Sequence, residues 1–276
     1  MSSPPLPGGT RPSVRRFAEM KRNGQRIVVL TAYDYTFARL LAAAGVDMLL
    51  VGDSLGQVVL GYESTVPVTL DEMIHHAKAV RRGAPNVFTV LDLPFLTYQV
   101  SVEQAVANAG RALKETGVHA VKIEGGGARI LETVRTLVEI GIPVMGHLGL
   151  TPQAVHQLGG HRVQARDEES RARIKHEAQA LEAAGCFSLV LELIPEDIAG
   201  EISASLSIPT IGIGAGRRCD GQVLVCYDAL GLNADFRPRF LKRYADLDTA
   251  VREGMARFAD EVRDGTFPGP EHTFQR

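Results

Sequence analysis

The chain has 276 residues, 45% of them hydrophobic, which is ample for a large buried core. Its 30 basic and 32 acidic residues leave a formal net charge of -2, and no basic stripe with interleaved aromatics is present, so no nucleic-acid partner is expected. No apolar run reaches the ~20 residues that span a bilayer, and three cysteines are too few, and odd in number, for a disulfide framework.

The opening stretch MSSPPLPGGTRPS is rich in Pro, Gly and Ser and lacks the apolar core of a secretory signal. Residues 1–22 therefore read as a flexible tail and lead-in, residues 23–276 as a single domain, and the compartment as the cytoplasm. From residue 27 onward, strand-like and helix-like segments alternate. IVVLTAYD reads as the first strand and YTFARLLAAAG as a helix closed by Gly45. MLLVGDS follows as a strand, and Thr69 caps the helix TLDEMIHHAKAVRRG with Glu72 at the capping-box position. His75 and His76 in that helix, close to Lys78, Arg81 and Arg82, read as a solvated face.

NVFTVLDLP is the third strand, SVEQAVANAGRALKETG the next helix, AVKIEGG the fourth strand and ARILETVRTLVEIG its helix. PVMGHLGL is the fifth strand, and the loop GGHRVQARDEES leads into the helix RARIKHEAQALEAAG, which begins at Arg171. FSLVLELI, PTIGIGAG and GQVLVCYDALG hold the last three strands, with the helix PEDIAGEISASL after the first of these. Residues 239–264 read as one long C-terminal helix, and the Pro-rich TFPGPEHTFQR does not continue it. Eight candidate strands alternating with helices predict an α/β fold, a (β/α)8 TIM barrel, in preference to an open doubly wound sheet. The latter would carry a Gly-rich phosphate loop after the first strand, and TAYDYTF is not one.

Charged residues stand at the ends of the apolar runs and almost nowhere within them. Asp53 and Ser54 end the second, Asp92 the third, Lys122 and Glu124 lie in the fourth, His147 in the fifth and Glu192 in the sixth. In a parallel barrel these groups emerge on one rim, and a charge at the end of a buried strand must be solvated, paired or metal-bound. Lys122 and Glu124 are two apart and so leave the same strand face; by themselves they could be a self-contained ion pair. Asp53, Asp92 and Glu124 in one cavity leave negative charge that Lys122 alone does not balance, which points to a divalent cation. Hard oxygen ligands without a nearby cysteine favour magnesium.

His147 is either a core histidine or a donor to a substrate oxygen. Glu192, among apolar neighbours in LVLELIP, is the expected general base, since desolvation would raise its pKa. GIGAG (Gly212–Gly216) is either a phosphate cradle or a tight turn. Cys186, Cys219 and Cys226 read as structural.

The ordered motifs TAYDY, VGDSLG, STVPVT, RRGAPN, DLPF, VKIEGG, GHLGLTPQ, GIGAG and DGQVLV, with PGPEHTF near the end, closely resemble those of the ketopantoate (3-methyl-2-oxobutanoate) hydroxymethyltransferase family. The resemblance covers nearly all of the chain beyond the first twenty or so residues. It implies a (β/α)8 transferase of pantothenate and coenzyme A biosynthesis. Such an enzyme moves a hydroxymethyl group from the cosubstrate 5,10-methylenetetrahydrofolate to 3-methyl-2-oxobutanoate through a magnesium-stabilised enolate. It implies Mg2+ on Asp53 and Asp92, with Glu124 direct or through water. Substrate contacts would come from Asp53, Ser54, Asp92, Lys122 and His147, proton abstraction from Glu192, and assembly would give a homodecamer. Folate-contact residues are not assigned. The chain departs from the family pattern at His161 and Arg162, where an aromatic residue and lysine are usual, and at Cys226 and Tyr227, where a histidine often precedes the aspartate. The nearest rival is a magnesium-enolate barrel of the phosphoenolpyruvate mutase and isocitrate lyase type, whose lyase members use a reactive cysteine loop. A non-catalytic oxo-acid-binding protein is a third reading.

Overall fold

A computed structural model describes residues 12–160 and 162–274. The first half of the expected flexible tail and lead-in (residues 1–11) and the His161 departure lie outside the described residues. Eight parallel strands close into a barrel in chain order. They are β1 (Ile27–Thr31), β2 (Met48–Val51), β3 (Phe88–Asp92), β4 (Ala120–Glu124), β5 (Val144–Gly149), β6 (Ser188–Glu192), β7 (Thr210–Ile213) and β8 (Gly221–Leu224). β8 pairs with β1 through Ile27 and Gly221. A Cβ at residue 221 would lie 2.5 Å from the Ile27 carbonyl oxygen, so only glycine lets the last strand close on the first. The predicted TIM barrel is observed, and β7 runs to β8 without an intervening helix, the irregular final unit that the short Gly-rich stretch suggested.

β3 and β4 are buried along their whole length, as strands covered on both faces must be. Residues two apart share a face, and the barrel core is built that way from Ile27, Val29, Met48, Leu50, Phe88, Val90, Ala120, Met145, Val190, Ile211 and Val223. The same parity carried upward reaches Asp92 after Val90, Lys122 and Glu124 after Ala120, His147 after Met145, and Glu192 after Val190. Apolar layers thus give way to a charged top layer in which the site residues point inward.

The reading of residues 1–22 as a tail is corrected for its second half. Val14–Arg22 is a helix, capped by the Ser13 side chain, that buries Phe17 and Met20 against the barrel core. Phe17 meets Phe88 edge-on at 5.0 Å between ring centroids. Lys21 directs its ammonium at the carbonyls of Ser203 (2.7 Å) and Ile208 (3.0 Å) and at Asp220 Oδ2 (2.9 Å), matching three acceptors to three donors.

The described residues fall into two compact units divided after Val225, where the sequence suggested one domain for 23–276. In the second unit the C-terminal helix is Leu247–Arg263, shorter than the expected 239–264. Asp246 stops it from extending backward by capping Thr249 N, and Tyr244 N is held by the Ala229 carbonyl at 2.8 Å. No residue of this helix is buried, and Val251, Met255, Phe258 and Val262 expose an apolar stripe at helical spacing. Among the described residues no helix is long and apolar enough to cross a membrane.

One stability prediction arises here. His119 stacks on Phe88 and its Nδ1 accepts from Thr89 N at 3.0 Å. Burial first, and Arg81 second, pull its pKa down to about 4, against about 6.5 in an unfolded chain. The unfolded state therefore takes up the proton first, and stability is lost as pH falls from about 6.5 towards 4. His119→Asn should flatten that part of the decline in urea unfolding. An identical pH slope in both proteins would count against it.

Candidate active site

β2, β3, β4, β5 and β6 deliver their carboxyl ends to one place. Asp92 is in register with Lys122 and Glu124 with His147, and β6 sets Glu192 beside Gly149. Lys122 Nζ lies 3.2 Å from Asp92 Oδ1, 3.7 Å from Glu124 Oε1 and 3.1 Å from His147 Nδ1. His147 Nδ1 is 3.4 Å from Glu124 Oε1, and its Nε2 is 3.2 Å from Glu192 Oε2. Asp53 joins the set through its backbone N–H, which donates to Asp92 Oδ2 at 3.2 Å. Ser54 follows it, with Oγ 2.9 Å from the hydroxyl of fully buried Tyr33. At Gly52 a Cβ would sit 2.8 Å from Ser54 Oγ and 3.5 Å from Asp92 Oδ2, so this turn is packed against the site. Six of the seven residues singled out in the sequence, Asp53, Asp92, Lys122, Glu124, His147 and Glu192, are brought into one network, and Ser54 stands next to Asp53 in the chain with its hydroxyl on Tyr33.

Glu192 differs from expectation in its surroundings. Its side chain is 16% exposed and faces His147, so apolar enclosure is incomplete. The backbone beyond it is unusual. Leu193 adopts φ 46°, held by its N–H to the Ile213 carbonyl (2.9 Å) and by Gln164 N to its own carbonyl (2.8 Å).

The charges explain one another. Burial pushes the Asp53 carboxyl well above the usual range, and Asp92 and Glu124 push it further. Asp92 is also raised, by burial and Glu124, against the pull of Lys122. Burial acts the same way on Glu124, but His147, Lys122 and the Gln153 N–H outweigh it and hold its pKa low. Burial would lower Lys122, yet Asp92, Glu124 and Asp53 raise it. Burial and Lys122 would lower His147, but Glu124 and Glu192 bring it up to about 9.

The expected three-carboxylate ligand set is not preformed. Among the described residues no group of three or more His, Cys, Asp or Glu side chains is placed to hold a metal ion. Lys122, lying close to both Asp92 and Glu124, occupies much of the space such a cage would need. The donors still suit a hard cation. Asp92 Oδ1 and Glu124 Oε1 are buried without an aligned hydrogen bond, and the Asp53 carboxyl is short of countercharge. One or two protein oxygens, with water or substrate supplying the rest, is the way magnesium is held.

Two residues carry no charge and were not singled out from the sequence. Gln153 Nε2 donates to Asp53 Oδ2 (2.9 Å) and the Leu93 carbonyl (2.9 Å), while its backbone N–H donates to Glu124 Oε2 (3.1 Å). Tyr98 donates its hydroxyl to Gln153 Oε1 (2.7 Å) and accepts from Glu124 N (3.0 Å). Their only sequence signal is that both follow strand ends, in DLPFLTYQ and GHLGLTPQ.

Elsewhere, GIGAG favours the tight turn over the phosphate cradle, because the Glu196 side chain packs where a Cβ of residue 216 would stand. His76 is not on a solvated face; its Nδ1 is 2.7 Å from the Tyr33 carbonyl. The three cysteines are buried and form no disulfide, in keeping with their structural reading.

A family model described as ketopantoate hydroxymethyltransferase matches residues 11–270. The 3-methyl-2-oxobutanoate hydroxymethyltransferase of Heliobacterium modesticaldum is 58% identical, over 93% of this chain and 92% of its own length. That of Moorella thermoacetica is 57% identical, over 96% and 98%. The chain belongs to the ketopantoate hydroxymethyltransferase family. This family member is an enzyme. Its fold is also shared by solved structures of much lower identity. A phosphonopyruvate hydrolase in complex with oxalate and Mg++ aligns with a TM-score of 0.60 at 11% identity, over 94% of this chain and 92% of that one. A 2,3-dimethylmalate lyase of the PEP mutase/isocitrate lyase superfamily aligns at 0.59 and 20%, over 95% and 91%. That likeness is one of architecture, so the rival reading of this ketopantoate hydroxymethyltransferase family member gains the barrel and nothing further. Of its four departures from the family pattern, Arg162 is exposed, and Cys226 and Tyr227 open a short helix at the start of the second unit.

Proposed function

We propose that this enzyme transfers a hydroxymethyl group from 5,10-methylenetetrahydrofolate to 3-methyl-2-oxobutanoate, giving 2-dehydropantoate, in pantothenate and coenzyme A biosynthesis. The observation that carries the reading is the His147–Glu192 contact of 3.2 Å beside a buried cluster of Asp53, Asp92, Lys122 and Glu124. A carbonyl compound acidic at the adjacent carbon needs a base on one side and positive charge on the other.

Asp53 and Asp92 would hold Mg2+, with Glu124 reaching it directly or through water. Bound there, the ion supplies Lewis-acid polarisation of the 2-oxo group. Glu192 takes the C3 proton of 3-methyl-2-oxobutanoate. His147, positive at neutral pH, holds the Glu192 side chain in place before that transfer. Lys122 and His147 together place positive charge where the oxo group becomes an oxyanion, the usual source of large rate effects. Ser54 Oγ, oriented by Tyr33, is available to a carboxylate oxygen of the substrate. The C3 carbanion equivalent then attacks the methylene carbon of the opened folate, and water releases product and tetrahydrofolate. We place the enzyme in the cytoplasm as a homo-oligomer, a homodecamer by resemblance; the exposed stripe of Val251, Met255, Phe258 and Val262 supports burial against another copy.

The assay is 2-dehydropantoate formation from both substrates, with and without EDTA. EDTA should abolish turnover and added Mg2+ restore it; turnover indifferent to EDTA would remove the cation. Asp92→Asn should weaken Mg2+ binding roughly tenfold or more in titration calorimetry, since a charged oxygen donor becomes a neutral one. An unaltered affinity would take Asp92 out of the ligand set. A merely oxo-acid-binding protein would bind the acid yet leave its C3 proton unexchanged.

A further inference from the structure

The geometry points to Gln153 as a positioning residue that, with Tyr98 behind it, sets Asp53 and Glu124 for cation binding without neutralising them. The inference rests on the cation reading given above.

Every hydrogen-bonding group of the Gln153 side chain is used. Its NH2 faces two acceptors, Asp53 Oδ2 and the Leu93 carbonyl, both at 2.9 Å, which fixes the amide's orientation. Its carbonyl oxygen accepts from Tyr98 (2.7 Å) and from Gln99 Nε2 (3.1 Å), which prevents the amide from turning over. Through Tyr98 the same side chain is tied to the Glu124 backbone N–H (3.0 Å), and through its own N–H to Glu124 Oε2 (3.1 Å). One buried residue, 6% exposed, therefore clamps carboxylates from β2 and β4.

The pattern of occupied oxygens matters more than the number of bonds. Each of the three carboxylates has one oxygen tied by a neutral donor: Asp53 Oδ2 by Gln153 Nε2, Asp92 Oδ2 by Asp53 N, and Glu124 Oε2 by Gln153 N. The other oxygens of Asp92 and Glu124 are buried with no aligned donor, and face the Lys122 ammonium at 3.2 Å and 3.7 Å and, for Glu124, His147 Nδ1 at 3.4 Å. An arginine or lysine at 153 would anchor Asp53 as well, but it would supply the charge that a cation brings. A neutral amide orients the carboxylate and leaves its charge available.

The test is Mg2+ binding to the full-length chain by titration calorimetry, without substrates, alongside thermal unfolding in EDTA. Gln153→Met keeps the length and removes the amide; it should raise the Mg2+ dissociation constant tenfold or more. Tyr98→Phe removes one hydroxyl, leaves Asp53 anchored and should raise it about threefold. A merely structural role would lower the unfolding midpoint in EDTA while the folded protein bound Mg2+ as tightly as before. If Gln153→Met does not fold, Tyr98→Phe decides. Wild-type affinity in the folded variants overturns the inference alone. A wild type that takes up no Mg2+ overturns the cation reading, and the inference with it.

Discussion

Glu192→Gln should nearly abolish exchange of the C3 proton of 3-methyl-2-oxobutanoate with solvent deuterium, followed by proton NMR in the absence of folate. General-base catalysis contributes roughly 10²–10⁴-fold, and glutamine retains the shape of the side chain while lacking basicity. The fold should survive, because the residue stands at the end of β6 with its side chain partly exposed, above the apolar layers that carry the barrel. Loss of exchange with the oxo acid still bound assigns the proton to Glu192. Exchange at the wild-type rate would remove Glu192 from the role and leave His147, 3.2 Å away, to be tested next.

The second large effect is expected at Lys122. Its ammonium is buried within 3.2 Å of Asp92 Oδ1 and 3.7 Å of Glu124 Oε1. Removing one partner of a buried ionic group leaves uncompensated charge, typically at a cost of ~3–5 kcal/mol. Lys122→Met should therefore lower the urea unfolding free energy in EDTA by about that amount. Mg2+ should restore more stability to the variant than to the wild type, since the cation replaces missing countercharge. Hydroxymethyl transfer should fall about 10²–10³-fold even when the variant is saturated with Mg2+, because a donor aimed at the developing oxyanion is gone. A stability change within the range of ordinary surface substitutions would show that the carboxylates balance one another by proton uptake alone.

The barrel was legible because its physics is local. Short runs such as NVFTVLDLP and AVKIEGG can be buried on both faces only in a parallel sheet, and their charged ends mark which rim faces solvent. The convergence of Asp53, Asp92, Lys122, Glu124, His147 and Glu192 followed from the same periodicity. The helix Val14–Arg22 was not legible, because only Phe17 and Met20 are buried in a stretch otherwise rich in Arg, Lys and Glu that continues a Pro/Gly-rich lead. The ligand count was not legible either. Whether Lys122 pairs with Asp92 or leaves it to a cation depends on the β3–β4 register, which residue types do not reveal. Gln153 and Tyr98 escaped because an uncharged polar side chain in a loop gives no signal until its partners are known.

The left-handed residue after the proposed base has a consequence for tolerance. Leu193 is fixed by hydrogen bonds to both β7 and Gln164, and the Glu192 carbonyl is fixed by Leu150 N at 2.8 Å. At Gly149 a Cβ would lie 2.1 Å from that carbonyl, so the neighbouring strand offers no slack. Aspartate at 192 would pull the carboxylate back by one methylene, and the peptide unit could not advance to make up the gap. Reach, as much as acidity, is therefore dictated at this point by the main chain.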